Sequence, residues 1–215
     1  IPYVLHEANL LPGRAVALLA RKAHTVAVSF EKTRYYLRHG RIETTGMPLR
    51  RTLQDAAGRP RRTRGEGATL RLLVMGGSRG AQVLNDVVPR AIGDARKAGV
   101  KLEVEHIAGV RNADAVEALY AEAAVPARAH QFVLDMAEKY LHADLAVCRA
   151  GAATCAELAL FGMPALLVPF PFAIRNHQMS NARVFQDAAA ADVIAQEDLS
   201  ITWLRDYIVS VSENP

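Results

Sequence analysis

From Leu70 onward the chain repeats one pattern, in which a short apolar run ends at small residues and a longer segment with helical spacing follows. "LRLLVM" leads into "AQVLNDVVPRAIGDARKAG", "LEVEHIAG" into "ADAVEALYAEAA", "RAHQFV" into "MAEKYLHA", "DLAVC" into "AATCAELALFG", "ALLVPF" into "NHQMSNARVFQDAA", and "ADVIA" into "LSITWLRDYIVSVSEN". Parallel neighbours in a sheet need a crossover of about a dozen residues, which a helix supplies. Strands that are apolar along their whole length are buried on both faces. The repetition therefore restricts this part of the chain to the α/β class, a parallel sheet covered by helices on both sides. A shorter version precedes it: strand "PYVLHE", helix "GRAVALLARKA", strand "HTVAVSF", short helix "KTRYYLRHG" and a short strand in "RIETTG". Between the two, "QDAAGRPRRTRGEGA" is polar, Arg-rich and aperiodic, as expected of an exposed linker. The predicted organisation is one unit over residues 1–50, a linker over 51–68 and a second unit over 69–215.

Composition narrows the function classes. At 215 residues and 51% hydrophobic the chain can bury a substantial core. No apolar run reaches the roughly 18 residues of a membrane span, and "IPYVLHEANL" lacks the basic-then-apolar order of a signal peptide. A soluble, cytoplasmic chain is expected. The opening reads as a strand already under way, which suggests a piece of a longer protein. Cys148 and Cys155 have no second cysteine pair, so core packing is the expectation rather than a zinc site or disulfide framework. A formal charge of +4 suits an acidic ligand or an anionic surface. No nucleic-acid-binding motif is present, and nucleic acid is not expected as a partner.

In parallel α/β sheets, ligands bind where strands end and helices begin, so the strand-to-helix turns carry the candidates. "MGGSRGAQ" places Gly76, Gly77 and Gly80 at such a turn; glycines permit positive φ and close backbone approach, and a helix start offers N–H groups to a phosphate. Ser78 adds a hydroxyl. The turn lacks the Lys-Ser/Thr of a P-loop, and Met75 holds the first glycine position of the dinucleotide fingerprint. A tight turn without a ligand is the competing reading. In "CRAGAATCAE" the small residues Ala152 and Ala153 keep the helix start open, Thr154 is a capping candidate, and Glu157 falls in the predicted first turn. That carboxylate either favours the helix dipole or accepts hydrogen bonds from a ribose diol. Arg149 meets an anion or pairs with a carboxylate. His177 and Gln178 open a third helix as surface groups or as site residues. Ahead of the linker, His6 is read first as a satisfied strand-end histidine, with base and cleft wall as alternatives. Asn9 is a helix-entry residue or reaches across a cleft, and Arg50 is a hinge charge.

Taken in order, "HEANLLPGRAVALLARKA", "TGMPLR", "GGSRGAQVLN", "CRAGAATCAELALFGMPALLVPF" and "NHQMSNA" resemble the MurG family of bacterial peptidoglycan glycosyltransferases. The resemblance implies an α/β fold of GT-B type, with two Rossmann-like parallel-sheet domains of which the first is present only in part. It implies inverting transfer of N-acetylglucosamine from UDP-N-acetylglucosamine to undecaprenyl-diphosphate-linked N-acetylmuramoyl-pentapeptide. No cofactor or metal is implied, and the setting is peripheral, at the cytoplasmic face of the inner membrane, with an anionic membrane surface as partner. By motif, Asn9 and Arg50 would face the nucleotide sugar, and Ser78 would meet the diphosphate. Val133 would lie against the uracil through its backbone, and the segment Ala152, Ala153, Thr154, Cys155, Ala156, Glu157 would wrap the nucleoside with Glu157 on the ribose. Gln178 would bind the sugar. Arg79 and Met47 depart from the family pattern. The family's N-terminal glycine-rich loop, with the histidine considered for the base, has no counterpart in the chain, so it would bind donor without turnover. The alternatives are another UDP-sugar transferase or epimerase of this fold, or a non-catalytic nucleotide-binding module. The run Arg59, Arg61, Arg62, Arg64 is read as a solvated linker that could touch lipid headgroups.

Overall fold

The computed structural model describes residues 1–38, 40–61, 63–65, 67–77 and 80–213. Its elements follow the predicted alternation. The first unit contains β1 (Val4–Glu7), α1 (Arg14–Ala20), β2 (Thr25–Val28), a 3-10 turn (Glu31–Tyr36) and β3 (Ile42–Thr44). After a helix α2 (Arg51–Ala57), the second unit runs β4 (Leu70–Met75), α3 (Gln82–Lys97), β5 (Leu102–Ile107), α4 (Ala113–Glu122) and β6 (Ala127–His130). It continues with α5 (Met136–His142), β7 (Leu145–Cys148), α6 (Ala152–Phe161), β8 (Ala165–Leu167), α7 (His177–Asp187), β9 (Ala191–Val193) and α8 (Ile201–Glu213). A three-stranded sheet has the order β1-β2-β3, and a six-stranded sheet the order β6-β5-β4-β7-β8-β9. All pairings are parallel.

The apolar strands work because both of their faces are covered. On β4, Leu70, Leu72 and Val74 point into one core with residues of α3, α4 and α8, while Leu73 and Met75 point into a second with residues of α2, α5 and α6. Leu145 and Val147 of β7 divide from Ala146 and Cys148 in the same way. Both cysteines are free and buried in the second core, as their expected packing role requires.

The linker departs from its expected character. Residues 51–57 form a helix, and Leu53 and Ala56 are buried against the second core. Burying one leucine stabilises by about 1.5–3 kcal/mol, enough to order a short helix once it lies on a ready-made surface. The described arginines of the run find protein partners, with Arg59 staying exposed as expected and Arg61 and Arg64 partly buried. Arg59 pairs with Glu138. Arg61 donates to the carbonyls of Gly162 and Ala143, the latter at 2.9 Å, and Arg64 donates to Val211 and Ser212 at the carboxyl end of α8, at 2.7 and 2.8 Å. Carbonyls left without partners at element ends attract such cations. Arg62 lies outside the described residues.

Candidate functional site

The order of the large sheet reverses at β4: β5 and β6 lie to one side of it, and β7, β8 and β9 to the other. The turns that leave β4 and β7 therefore diverge, and a crevice opens above their ends. Met75 pairs with Cys148, so the two strands end level. Gly76 is fixed by the packing of the turn after β4 upon itself, and Gly80 by its packing against the segment after β5. A Cβ on Gly76 would lie 2.4 Å from the Ala81 nitrogen, and one on Gly80, where φ is +74°, would lie 2.3 Å from the Ala108 oxygen. Gly77 has φ +83° with open space around it, and its carbonyl accepts the Gly80 N–H at 2.9 Å. Ser78, expected at the diphosphate, and its neighbour Arg79 lie outside the described residues.

Helices α3 and α6 both start at this crevice, with Ala81 and Gly151 as their N-cap residues and no side-chain cap on either. Their first-turn N–H groups thus remain available at the positive end of each helix dipole. The expectation that Thr154 caps α6 is corrected: the helix begins at Ala152, so Thr154 is already its third residue. The same shift corrects Glu157, which falls in the second turn rather than the first and takes nothing from the cap region.

What Glu157 has instead is a partner. The hydroxyl of Tyr140, from α5, donates to Glu157 Oε2 at 2.7 Å and lies 3.7 Å from the sulfur of Met75, the last residue of β4. The carboxylate is therefore held at the end of β4, beside the glycine turn. Tyr140 is 1% exposed and stacks on Phe161, with ring centroids 5.0 Å apart. Burial above all, then the Glu157 carboxylate, push the Tyr140 hydroxyl far above its usual range, with Arg50 opposing. The hydroxyl stays protonated, and Glu157 keeps its other oxygen as an uncommitted acceptor.

The remainder of the segment divides by orientation. Ala152 and Ala156 line a cavity of about 410 Å³ between α6 and the turns after β2 and β3, where Phe30 and Met47 lie. Cys155 is fully buried, its N–H bonds the Gly151 carbonyl at 2.9 Å, and burial pushes its thiol up to about 12. Its side chain packs in the second core. Arg149 pairs with no carboxylate among the described residues. It is buried under Phe170 and donates to the carbonyls of Val168 and Pro169 and to Gln196 Oε1, and desolvation lowers its pKa. Its role is to tie the end of β7 to the segments after β8 and β9.

The turn after β1 approaches the same region. Glu7, 4% exposed, accepts the N–H groups of Asn9 and Gly13, each at 2.9 Å. His6 Nε2 lies 3.1 Å from the Gly46 carbonyl, as a satisfied strand-end histidine should. Asn9 is half-buried, and Arg50 is exposed at the start of α2. Gln178 accepts the Phe170 N–H at 2.9 Å through Oε1, which leaves its NH2 group as the free donor. Val133 is half-buried against the second core, between the exposed Phe132 and Leu134, in the loop that follows β6. The structure thus brings Glu157, the glycine turn and the start of α6 together at the switch point. Asn9 and Gln178 lie at the facing edge, where Arg175, two residues ahead of α7, donates to the Pro12 carbonyl at 3.0 Å. Sequence reasoning missed Tyr140, which no local pattern marks, and gave Glu7 no role although its two-residue spacing from Asn9 is that of a side chain bonding a nearby main-chain N–H.

Two facing parallel-sheet units with a nucleotide-type crevice at the switch point define the GT-B class of glycosyltransferases, and known structures agree. Acinetobacter baumannii MurG superposes with a TM-score of 0.78 at 32% identity, covering 98% of this chain and 58% of that one. The glycotransferase of kitacinnamycin shares the fold, with a TM-score of 0.61 at 20% identity over 90% of this chain and 47% of that one. Residues 71–215 match the Glycosyltransferase family 28 C-terminal domain, and the chain belongs to that family. Two UDP-N-acetylglucosamine--N-acetylmuramyl-(pentapeptide) pyrophosphoryl-undecaprenol N-acetylglucosamine transferases are similar to it. That of Sorangium cellulosum is 44% identical over 100% of this chain and 52% of its own length, and that of Thiobacillus denitrificans 41% identical over 99% and 59%. The chain spans somewhat over half the length of these relatives.

Proposed function

We propose that the chain is the donor-binding part of an inverting N-acetylglucosaminyltransferase of peptidoglycan synthesis. The donor is UDP-N-acetylglucosamine, and the acceptor is undecaprenyl-diphosphate-linked N-acetylmuramoyl-pentapeptide. The observation that carries the reading is the switch-point crevice, where the uncapped starts of α3 and α6 flank a carboxylate braced by Tyr140. The first-turn N–H groups suit a diphosphate, and the uncommitted oxygen of Glu157 suits a ribose diol. Sequence identity above 40% to transferases with that printed substrate supports the choice of donor and acceptor.

In the reaction the acceptor hydroxyl attacks the anomeric carbon and the bond from that carbon to the diphosphate oxygen breaks. UDP departs with the electron pair, and the hydroxyl proton passes to a base. The chain's own contribution is electrostatic. Main-chain N–H groups and helix dipoles at the glycine turn and at Ala152, Ala153 and Thr154 stabilise the negative charge that grows on the leaving diphosphate. Glu157 fixes the ribose, Val133 meets the uracil through its backbone, and Gln178 offers its NH2 to the sugar. Asn9 and Arg50 face the sugar from the other sheet. The reading assigns this chain no base. A lipid-linked acceptor sets the enzyme at the cytoplasmic face of the membrane as a peripheral protein; no helix among the described residues is long and apolar enough to cross it.

Calorimetric titration of the full-length protein with UDP, UDP-N-acetylglucosamine and NADH tests the reading. Both uridine ligands should bind, and NADH should bind more weakly than UDP. Tighter binding of NADH would reject it in favour of a dinucleotide-binding protein.

A further inference from the structure

The loop that joins β6 to α5 carries Val133, and it has little to hold it from within. Among the described residues, no main-chain hydrogen bond engages Gln131, Phe132, Val133 or Leu134. Val133 packs on the edge of the second core, while Phe132 and Leu134 are exposed. The place of the loop is therefore set at its two flanks, and one side chain grips both. Glu105, on β5, accepts at Oε2 from Nε2 of His130, the last residue of β6, and from Nζ of Lys139, the fourth residue of α5, the latter at 2.8 Å. A carboxylate only accepts, so each partner must point a hydrogen at it, and none of the three is more than a third exposed. Burial pushes the Glu105 carboxyl up, but the hydrogen bonds from Lys139 and His130 outweigh it and hold the group below its usual range, so it is ionised at neutral pH. The grip stands beside a cavity of about 340 Å³ between β5 and α5, lined largely by charged side chains such as Glu103 and His142 rather than by packed apolar groups. On the sheet side His130 is tied a second time, its carbonyl accepting the Ala108 N–H at 2.9 Å.

We infer that Glu105 is a positioning residue for the uracil end of the donor, clamping both flanks of the loop that carries Val133 and thereby setting the preference for uracil over other bases; this rests on the transferase reading above. The loop would meet the base through main-chain groups, whose polarity cannot change. Uracil carries an acceptor oxygen where cytosine carries an amino donor, so groups placed to suit one oppose the other. Such discrimination lasts only while the groups stay in place, because a loop free to shift can adapt to either base. Glu105 touches no ligand in this arrangement and acts through the loop alone. Its effect is thereby separable from that of Glu157, which meets a ribose that UDP and CDP share, whereas the loop meets the part in which they differ.

The test compares UDP, CDP and inorganic diphosphate by calorimetry on the full-length protein. Glu105→Ala should weaken UDP about tenfold, CDP less than about threefold and diphosphate less than about twofold, so that the preference for UDP over CDP narrows. Lys139→Met releases only the α5 flank; it should narrow the same preference by about threefold, which keeps the test open if the alanine variant folds poorly. Added to Glu105→Ala, Lys139→Met should change the preference by less than about twofold further, because residues acting through one another are not additive. An unchanged preference for UDP over CDP in both single variants, whether or not overall affinity falls, would overturn the positioning role while leaving the transferase reading intact. So would an unaltered protein that binds UDP without preferring it to CDP. Failure of the unaltered protein to bind UDP at all would overturn both.

Discussion

The turn after β1 and the turn after β7 each pair a carboxylate with a helix start, yet they commit their hydrogen-bonding groups in opposite ways. Glu7 is buried and both of its oxygens are taken, by the N–H groups of Asn9 and Gly13 at the entry to α1. Among the described residues Glu157 has a single partner, the Tyr140 hydroxyl, and the start of α6 has no side-chain cap. The first turn is complete without a ligand; the second is not. A carboxylate that accepts three hydrogen bonds from its own turn is scaffold, and one held by a single bond with most of its capacity left is poised to meet something else.

The contrast predicts separable phenotypes. Glu7→Ala should lower stability by about 4 kcal/mol, because two buried N–H groups lose a charged acceptor; chemical denaturation measures it, and a loss below about 1 kcal/mol would break the comparison. Glu157→Ala should lower stability by only about 1–2 kcal/mol, for the buried Tyr140 hydroxyl left without its acceptor, but weaken UDP by roughly 10- to 100-fold, while free inorganic diphosphate keeps its affinity. Equal losses for both ligands in calorimetry would place Glu157 away from the ribose.

A third effect sharpens the scaffold side through pH. His106, fully buried between Tyr120 and Asn85, has its pKa lowered by burial to about 3, and Asn85 in turn donates to the Ala108 carbonyl that abuts Gly80. The folded state refuses a proton that the unfolded chain accepts below about 6.5. The stability due to neutral His106 is therefore complete above that value and is lost as pH falls toward 3, by about 2 kcal/mol between pH 7 and pH 5. Denaturant midpoints across that range should drop, and should drop less in His106→Gln. The smallest effect is expected of Tyr140→Phe: about fivefold weaker UDP binding from a less restrained Glu157, with stability changed by less than about 1 kcal/mol. Unchanged UDP affinity would show that the hydroxyl does not orient the carboxylate.

The fold was legible because its signal is repeated. The central strands β4, β7 and β8 carry apolar runs such as "LRLLVM", whose residues enter two cores alternately, and each is followed by a helix that crosses over. Helix α2 was not legible, since Leu53 and Ala56 are its only buried residues and they sit ahead of a stretch rich in arginine, glycine and proline. The start of α6 was misplaced because Gly151 serves as N-cap without a side-chain oxygen, while Thr154 offered a false signal three residues on. At the site, glycines and a carboxylate at strand ends could be read from order alone. The Tyr140–Glu157 bond could not: it joins two helices across the sheet edge, 17 residues apart, and helical periodicity carries no information about such a pair.

The arginine contacts of the segment between the two units bear on how such proteins can be cut and recombined. Arg61 and Arg64 act as clasps, closing onto carbonyls at Gly162, Ala143, Val211 and Ser212. A graft that exchanged donor halves between relatives at residue 68 would strip those clasps from one parent and supply them from the other. A junction between Gly46 and Arg50 would carry them along, and the transplanted half would arrive with its own fastenings.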